Sequence, residues 1–291
     1  MLYRQSCSKL GKVLRNINAL KPTNKHIVVG CTVMPGYCKD IGSFLLKDCE
    51  NTTLSYNPEF IQQGDIIQGL LNPDMVLIGE GNEYVGDILE DMYRRVCQNN
   101  PIVHRMSPSS AEICKLAINC FVTTKISYAN MIGDISDRTP GAVKEDILGA
   151  IGSDSRVGGK CLKAGYGFGG PCFPRDNRAL GAHATRIGVR PIICTATDSY
   201  NDYHASLMVE KFLLSENGKK DYTFSDVAYK PNCAVPIIEE SQKLKVASIL
   251  AAQGCKVTIK DRDFIIELVQ QEYGALFQYE VIEKHENEDI V

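Results

Sequence analysis

Tryptophan is absent from this 291-residue chain, and histidine occurs only five times. Long apolar runs are missing too. Stretches such as Pro191 to Thr197 fall far short of the ~20 residues needed to cross a bilayer, which excludes a membrane-spanning helix. Charge of one sign is equally scarce: 32 basic residues face 35 acidic ones for a net charge of -3. The basic residues are scattered, which excludes an extended nucleic-acid surface or a polybasic membrane patch and requires any anionic ligand to be held locally. No continuous apolar region follows the charged start, Tyr3 to Arg15, so no secretory signal is read and a cytoplasmic location is expected. The twelve cysteines contain no CxxC pair. His26, His104, His183, His204 and His285 do not cluster with them at metal-ligand spacing, so no metal site is expected.

Hydrophobic residues make up 44% of the chain, enough for one substantial core or two smaller ones. Leu10, Val13, Leu14, Ile17 and Leu20 recur at helical spacing before the Lys21-Pro22 stop. Strands are expected at His26 to Thr32, Thr53 to Tyr56 and Met75 to Ile78, with an amphipathic helix from Glu83 to Cys97. This alternation predicts a mostly parallel sheet, one half of a Rossmann-type domain, over 1–108. At Ser109 and Glu112 the pattern of a capping box opens a long helix to about Asp137. Further helices are expected at Gly141 to Ile151, Asn177 to Ile187 and Ile192 to Ser215, which makes 109–216 an all-helical domain. The polar stretch Glu216 to Asp221 reads as a linker. A strand at Tyr222 to Tyr229, a helix at Glu239 to Gln253, a strand from Lys256 towards Asp261 and a last strand at Leu276 to Ile282 predict a partial second Rossmann-like domain over 221–291. The fold class is thus α/β, with a helical centre.

Gly165-Tyr-Gly167-Phe-Gly169-Gly170 matches G-x-G-x-x-G by letter. The dinucleotide fingerprint requires a strand before it and an acidic residue ~20 positions later; here Lys160 and Lys163 precede it, and Arg186 and Arg190 follow. The segment reads instead as a loop whose backbone comes close to a ligand, with Arg156, Lys160 and Lys163 as partners for an anion such as a diphosphate. Directly after it, Cys172 stands just before a helix start, where the helix dipole and free N–H groups favour a thiolate.

Three separated motifs occur in order: Tyr56-Asn-Pro-Glu59-Phe60, Ala111-Glu112-Ile-Cys-Lys115-Leu-Ala-Ile-Asn119 and Gly167-Phe-Gly-Gly-Pro-Cys172-Phe-Pro-Arg-Asp176. With Cys31-Thr32-Val-Met-Pro35-Gly36 and Asn72 to Gly79, they resemble the signature set of the UDP-glucose/GDP-mannose dehydrogenase family of nucleotide-sugar 6-dehydrogenases. The resemblance weakens after residue 221. It implies oxidation of a sugar 6-hydroxyl to a carboxylate with NAD, through a thiohemiacetal and a thioester on Cys172. It further implies Glu59 as base in thioester hydrolysis, Thr32 as the residue that positions water, and both on the nicotinamide side of the cofactor. Lys115 and Asn119, one helical turn apart, would address a developing oxyanion; Asp176 would orient a water or Lys115. Lys230 would join the glycine loop in holding the diphosphate of a nucleotide sugar, with UDP-glucose the first expectation. A homodimer built through the helix from Ser109 is implied as well.

The sequence also departs from the family pattern. Gln63 stands where a second glutamate is usual, and Ser225 to Ser241 replaces the familiar C-terminal run. Only 25 residues, with one glycine, precede the His26 strand, whereas a βαβ unit takes roughly 30 or more. The expectation is a chain truncated at the N-terminus and at the C-terminus, lacking the NAD phosphate-binding glycine turn. It would be inactive alone, needing the missing half from a separate chain, or be a pseudoenzyme kept for nucleotide-sugar binding.

Overall fold

The computed structural model describes residues 2–60, 65–215, 220–230, 233 and 235–282. In chain order the elements are α1 (Leu2–Ala19), β1 (His26–Val29), a π-helical turn (Tyr37–Gly42), α2 (Ser43–Leu45), β2 (Thr53–Tyr56), α3 (Ile66–Leu71), β3 (Met75–Gly79), α4 (Glu83–Val96), β4 (Ile102–Met106) and α5 (Pro108–Asp137). They continue with α6 (Lys144–Ser153), α7 (Phe173–Arg186), α8 (Ile192–Ser215), β5 (Asp221–Ser225), α9 (Gln242–Ala252), β6 (Lys256–Asp261), α10 (Asp263–Tyr273), a 3-10 turn (Gly274–Leu276) and β7 (Gln278–Val281). The chain divides into two compact units, Met1–Ile118 with Ala179–Pro191, and Asn119–Arg178 with Ile192–Val291.

The first unit is built on a four-stranded sheet of order β1-β2-β3-β4. β1 pairs parallel with β2 from His26↔Thr53 to Val29↔Tyr56, and β3 pairs parallel with β4 from Met75↔Ile102 to Gly79↔Met106. The two halves join through one antiparallel pair, Tyr56↔Gly79. Side chains alternate across a strand, and β3 shows both faces covered: Leu77 packs with Val29, Leu54 and Tyr56, while Val76 and Ile78 pack with Val85 and Leu89 of α4. That is why Met75–Gly79 reads as a continuous apolar run. The second unit carries the remainder of α5, α6 and α8, together with a parallel three-stranded sheet β5-β6-β7. Its core draws Ala205 and Val209 from α8 onto Phe224, Leu244, Leu250, Ile259 and Ile265.

Several expectations need correction. α5 opens without a capping box: Ser107 Oγ accepts from the Ser110 amide at 3.2 Å, and Pro108 takes the first helical position. Glu112 is turned away, fully buried, onto the backbone amides of Gly36 and Cys38 at 2.6 and 2.7 Å. Residues 109–216 are not helical throughout, because the glycine-rich stretch between α6 and α7 forms turns. α7 starts at Phe173 rather than Asn177, since the Asp176 amide already donates to the Cys172 carbonyl at 2.8 Å. β1 stops at Val29, short of Thr32. β5 ends at Ser225, not at Tyr229, because Asp226 takes a left-handed φ of 52° that ends extended backbone. The π-helical turn, α2, α3 and β4 carry no clear periodicity. Gln63 and linker residues 216–219 lie outside the described residues.

Candidate active site

In the first unit the Tyr56-Asn-Pro-Glu-Phe segment follows β2 and is held from two sides. Asn57 donates from Nδ2 to the Leu77 carbonyl at 2.9 Å and accepts from the Tyr93 hydroxyl at 2.8 Å. Lys115, 8% exposed, donates from Nζ to the Glu59 carbonyl and lies 4.2 Å from the centroid of the Phe60 ring. An ammonium above an aromatic face is stabilised by the ring quadrupole, so Lys115 is oriented as well as paired. The Glu59 carboxylate itself is exposed and Thr32 is half-buried.

The second unit ties two further predicted residues, Asn119 and Cys172, to one buried carboxylate. Asp176 is 0% exposed. Asn119 donates from Nδ2 to its Oδ2 at 2.6 Å, and Arg175 donates from Nε to its Oδ1 at 2.9 Å. Burying a carboxylate is costly unless it is paired and hydrogen-bonded, and these partners meet that demand. Asp176 therefore engages Asn119 and Arg175. Cys172, whose carbonyl accepts from the Asp176 amide, is exposed one residue before α7. The sequence thus brings together a thiol at a helix start and, one turn on, a carboxylate locked to Asn119.

The glycine loop is positioned by groups that sequence reasoning passed over. Asn201 of α8 grips Phe168 at both ends, accepting from its amide and donating to its carbonyl at 2.9 Å each. Asn130 accepts from the Gly165 amide at 2.9 Å. His204 lies with Nδ1 2.7 Å from Asp134 Oδ2 and Nε2 2.7 Å from the Gly165 carbonyl, and Tyr200 donates to the same Asp134 oxygen at 2.7 Å. Asparagine at mid-helix was the available signal, since its amide in a buried helix needs partners.

The glycines themselves answer to packing. A Cβ on Gly167 would lie 2.2 Å from Asn201 Oδ1, one on Gly169 2.2 Å from the Glu240 carbonyl, and one on Gly170 2.3 Å from the Tyr229 ring. Gly170 also takes a left-handed φ of 81°. Gly165 alone of the four has open space around it. Arg156 is exposed and pairs within its own turn, Nη2 to Asp154 Oδ2 at 2.7 Å. Lys160 and Lys163 are exposed, and Lys230 lies 5.8 Å from the Tyr229 ring centroid.

In the first unit, between β3 and α4, Gly79-Glu80-Gly81 joins strand to helix. Here a Cβ on Gly79 would lie 2.7 Å from Pro108 Cα and one on Gly81 2.6 Å from the Leu54 carbonyl. The Gly81 amide already donates to Ser55 Oγ at 2.9 Å and the Val85 amide to Asn82 Oδ1 at 2.9 Å. These amides are satisfied and the glycines serve close packing, so the turn does not fit a dinucleotide pyrophosphate. Among the described residues, no group of three or more His, Cys, Asp or Glu side chains is placed to hold a metal ion, and no helix is long and apolar enough to cross a membrane.

Comparison with known proteins identifies the relatives of this chain. Residues 4–97 match the NAD binding domain of the UDP-glucose/GDP-mannose dehydrogenase family and residues 109–203 its central domain. The UDP-glucose 6-dehydrogenase TuaD of Bacillus subtilis is 35% identical over 242 residues, covering 81% of this chain and 51% of that protein. AglM, a UDP-glucose 6-dehydrogenase of Haloferax volcanii, is 30% identical over 266 residues, covering 87% of this chain and 60% of its own length. A UDP-glucose dehydrogenase structure from Pyrobaculum islandicum superposes with a TM-score of 0.83 at 29% identity, over 94% of this chain and 62% of that one. The chain therefore spans about half to three fifths of the length of these relatives. With two family domains matched in order, and the cysteine, lysine, asparagine and aspartate motifs falling within them, the chain belongs to the UDP-glucose/GDP-mannose dehydrogenase family.

Proposed function

We propose that this chain carries the substrate-side chemistry of a nucleotide-sugar 6-dehydrogenase of the UDP-glucose type, with Cys172 as the covalent nucleophile. The observation that carries the reading is the exposed Cys172 thiol at the start of α7, one turn from the buried Asp176 bonded to Asn119. A thiolate at a helix start adds to an aldehyde carbon, and the resulting oxyanion collects a proton to give a thiohemiacetal that keeps the intermediate from escaping. Asn119, its amide direction fixed by Asp176, and Lys115 are the donors assigned to that oxyanion; Glu59, with an exposed carboxylate, is the base assigned to thioester hydrolysis, and Thr32 its water-positioning partner. Lys163, Lys230 and the Gly165 to Gly170 loop are assigned to the diphosphate of UDP-glucose, with Arg156 and Lys160 at its margin. The domains proposed are 1–108, 109–216 and 221–291.

NAD supplies the hydride acceptor in this family, and its pyrophosphate contacts are not assigned to the described residues, given the closed turn after β3. The same turn favours the second reading, a nucleotide-sugar-binding protein without turnover of its own. Calorimetry with UDP-glucose and absorbance at the NADH band test both. Binding without NADH formation is expected from this chain alone. Turnover that Cys172→Ser abolishes would overturn the inactivity, and absence of any UDP-glucose binding would overturn the substrate assignment.

A homodimer through α5 is proposed as well. Phe121, Tyr128 and Ile135 recur every seven residues and are 67%, 45% and 54% exposed, an apolar stripe of the kind that pairs helices across a two-fold axis. Leu116 and Cys120, also on this helix, are instead buried within the chain.

A further inference from the structure

In the second unit α5 and α8 run side by side in the same direction, and small residues line their seam. Thr124 Oγ1 lies 3.2 Å from Thr197 Oγ1, and Ser127 donates to the Thr197 carbonyl at 3.1 Å. Further along, Tyr200 and His204 reach Asp134. One turn before Thr124 stands Cys120, and one turn before Thr197 stands Cys194. The register of the seam thus sets these two thiols opposite each other, near enough for each to influence the other's ionisation. Both are free thiols, Cys120 at 6% exposure and Cys194 half-buried. Both are also tied to the segment that carries the proposed site: Cys120 Sγ is 3.5 Å from the Asp176 carbonyl oxygen, and the Cys194 carbonyl accepts from Asn177 Nδ2 at 2.8 Å.

We propose that Cys120 and Cys194 form a peroxide-oxidisable dithiol that closes to an intrachain disulfide across the α5–α8 seam. No catalytic residue takes part, so the inference stands apart from the functional reading above. Burial raises both thiols, Cys120 to about 12, which leaves the more accessible Cys194 as the first to react. Its thiolate attacks one oxygen of a hydroperoxide, the O–O bond breaks, and hydroxide leaves Cys194 as a sulfenic acid. Cys120 then attacks the Cys194 sulfur, forming the S–S bond and expelling water with the thiol proton; two thiols are oxidised and one peroxide is reduced. Closing the bridge to the ~2.05 Å of a disulfide asks for an approach of two side chains whose helices are already held in register by the threonine pair.

The test treats the full chain with hydrogen peroxide, blocks the remaining thiols with iodoacetamide in denaturant, and maps peptides without reductant. The expected product joins the Cys120 and Cys194 peptides, two hydrogens lighter than their sum, and is released by dithiothreitol. It persists in Cys172→Ser and disappears in Cys194→Ser. Recovery of both cysteines as alkylated thiols would overturn the proposal. So would Cys194 bridged to another cysteine, or carried on to a sulfinic acid without a bridge.

Discussion

Replacing Glu112 by glutamine separates a buried structural carboxylate from the surface cap its spacing suggested. The side chain is fully buried and accepts from the amides of Gly36 and Cys38 at 2.6 and 2.7 Å. Glutamine keeps one acceptor oxygen and turns an NH2 group towards the other amide. Loss of one charge-assisted bond, together with a stranded N–H, costs roughly 3 to 4 kcal/mol, and relief from burying a charge returns about 1, for a net destabilisation of about 2 to 3 kcal/mol. In a domain of this size that lowers the thermal midpoint by about 5 to 8 °C. Burial raises the Glu112 pKa against the lowering effect of its backbone hydrogen bonds. A raised folded-state pKa means that this group's stabilisation is complete below its unfolded value and is lost as pH rises through the folded one. Glutamine does not titrate, so the deficit of Glu112→Gln is largest in acid and narrows towards neutral pH. Urea unfolding across that range, with hydrogen exchange at the Gly36 and Cys38 amides, reads both effects. A variant as stable as the parent throughout, or a deficit that grows with pH, would refute the reasoning; the loss of a surface cap would cost only ~1 kcal/mol and leave those amides protected.

Cys172 should be the most rapidly alkylated cysteine near neutral pH, while Cys38 and Cys120, buried and with raised pKa values, should stay unlabelled until the chain unfolds; peptide mapping after brief iodoacetamide treatment decides this, and preferential labelling at Cys31 or Cys161 would count against the nucleophile assignment. Asp176→Asn sets an NH2 group against Arg175 or Asn119, with an expected loss of about 2 kcal/mol after discounting for the partial exposure of Arg175; an unchanged denaturation midpoint would contradict the paired-carboxylate account. Phe121→Asp should convert a dimer to monomer in light scattering at micromolar concentration, and a parent chain that is already monomeric under those conditions would reject the α5 interface.

Much of the architecture is legible in the sequence because burial imposes periodicity. Met75–Gly79 is apolar throughout because both of its faces are covered, and the bounds of Ile192–Ser215 are legible because a long helix repeats its pattern many times. The motif residues were legible for a chemical reason: a thiol before a helix start, with a carboxylate one turn on, is informative as a string. The sequence could not reveal partnerships across distant segments. Glu112 has the spacing of a cap, and only folding brings Gly36 and Cys38 to it. Gly167, Gly169 and Gly170 have the letters of a phosphate loop, but Asn201, Glu240 and Tyr229 decide that a side chain there would collide. Asp176 is bonded by Asn119, 57 positions away, because α5 packs against the start of α7. Local sequence sets which groups are present and the period at which they recur, whereas the partner of each buried polar group is set by residues tens of positions away, which only the tertiary structure brings within hydrogen-bonding reach.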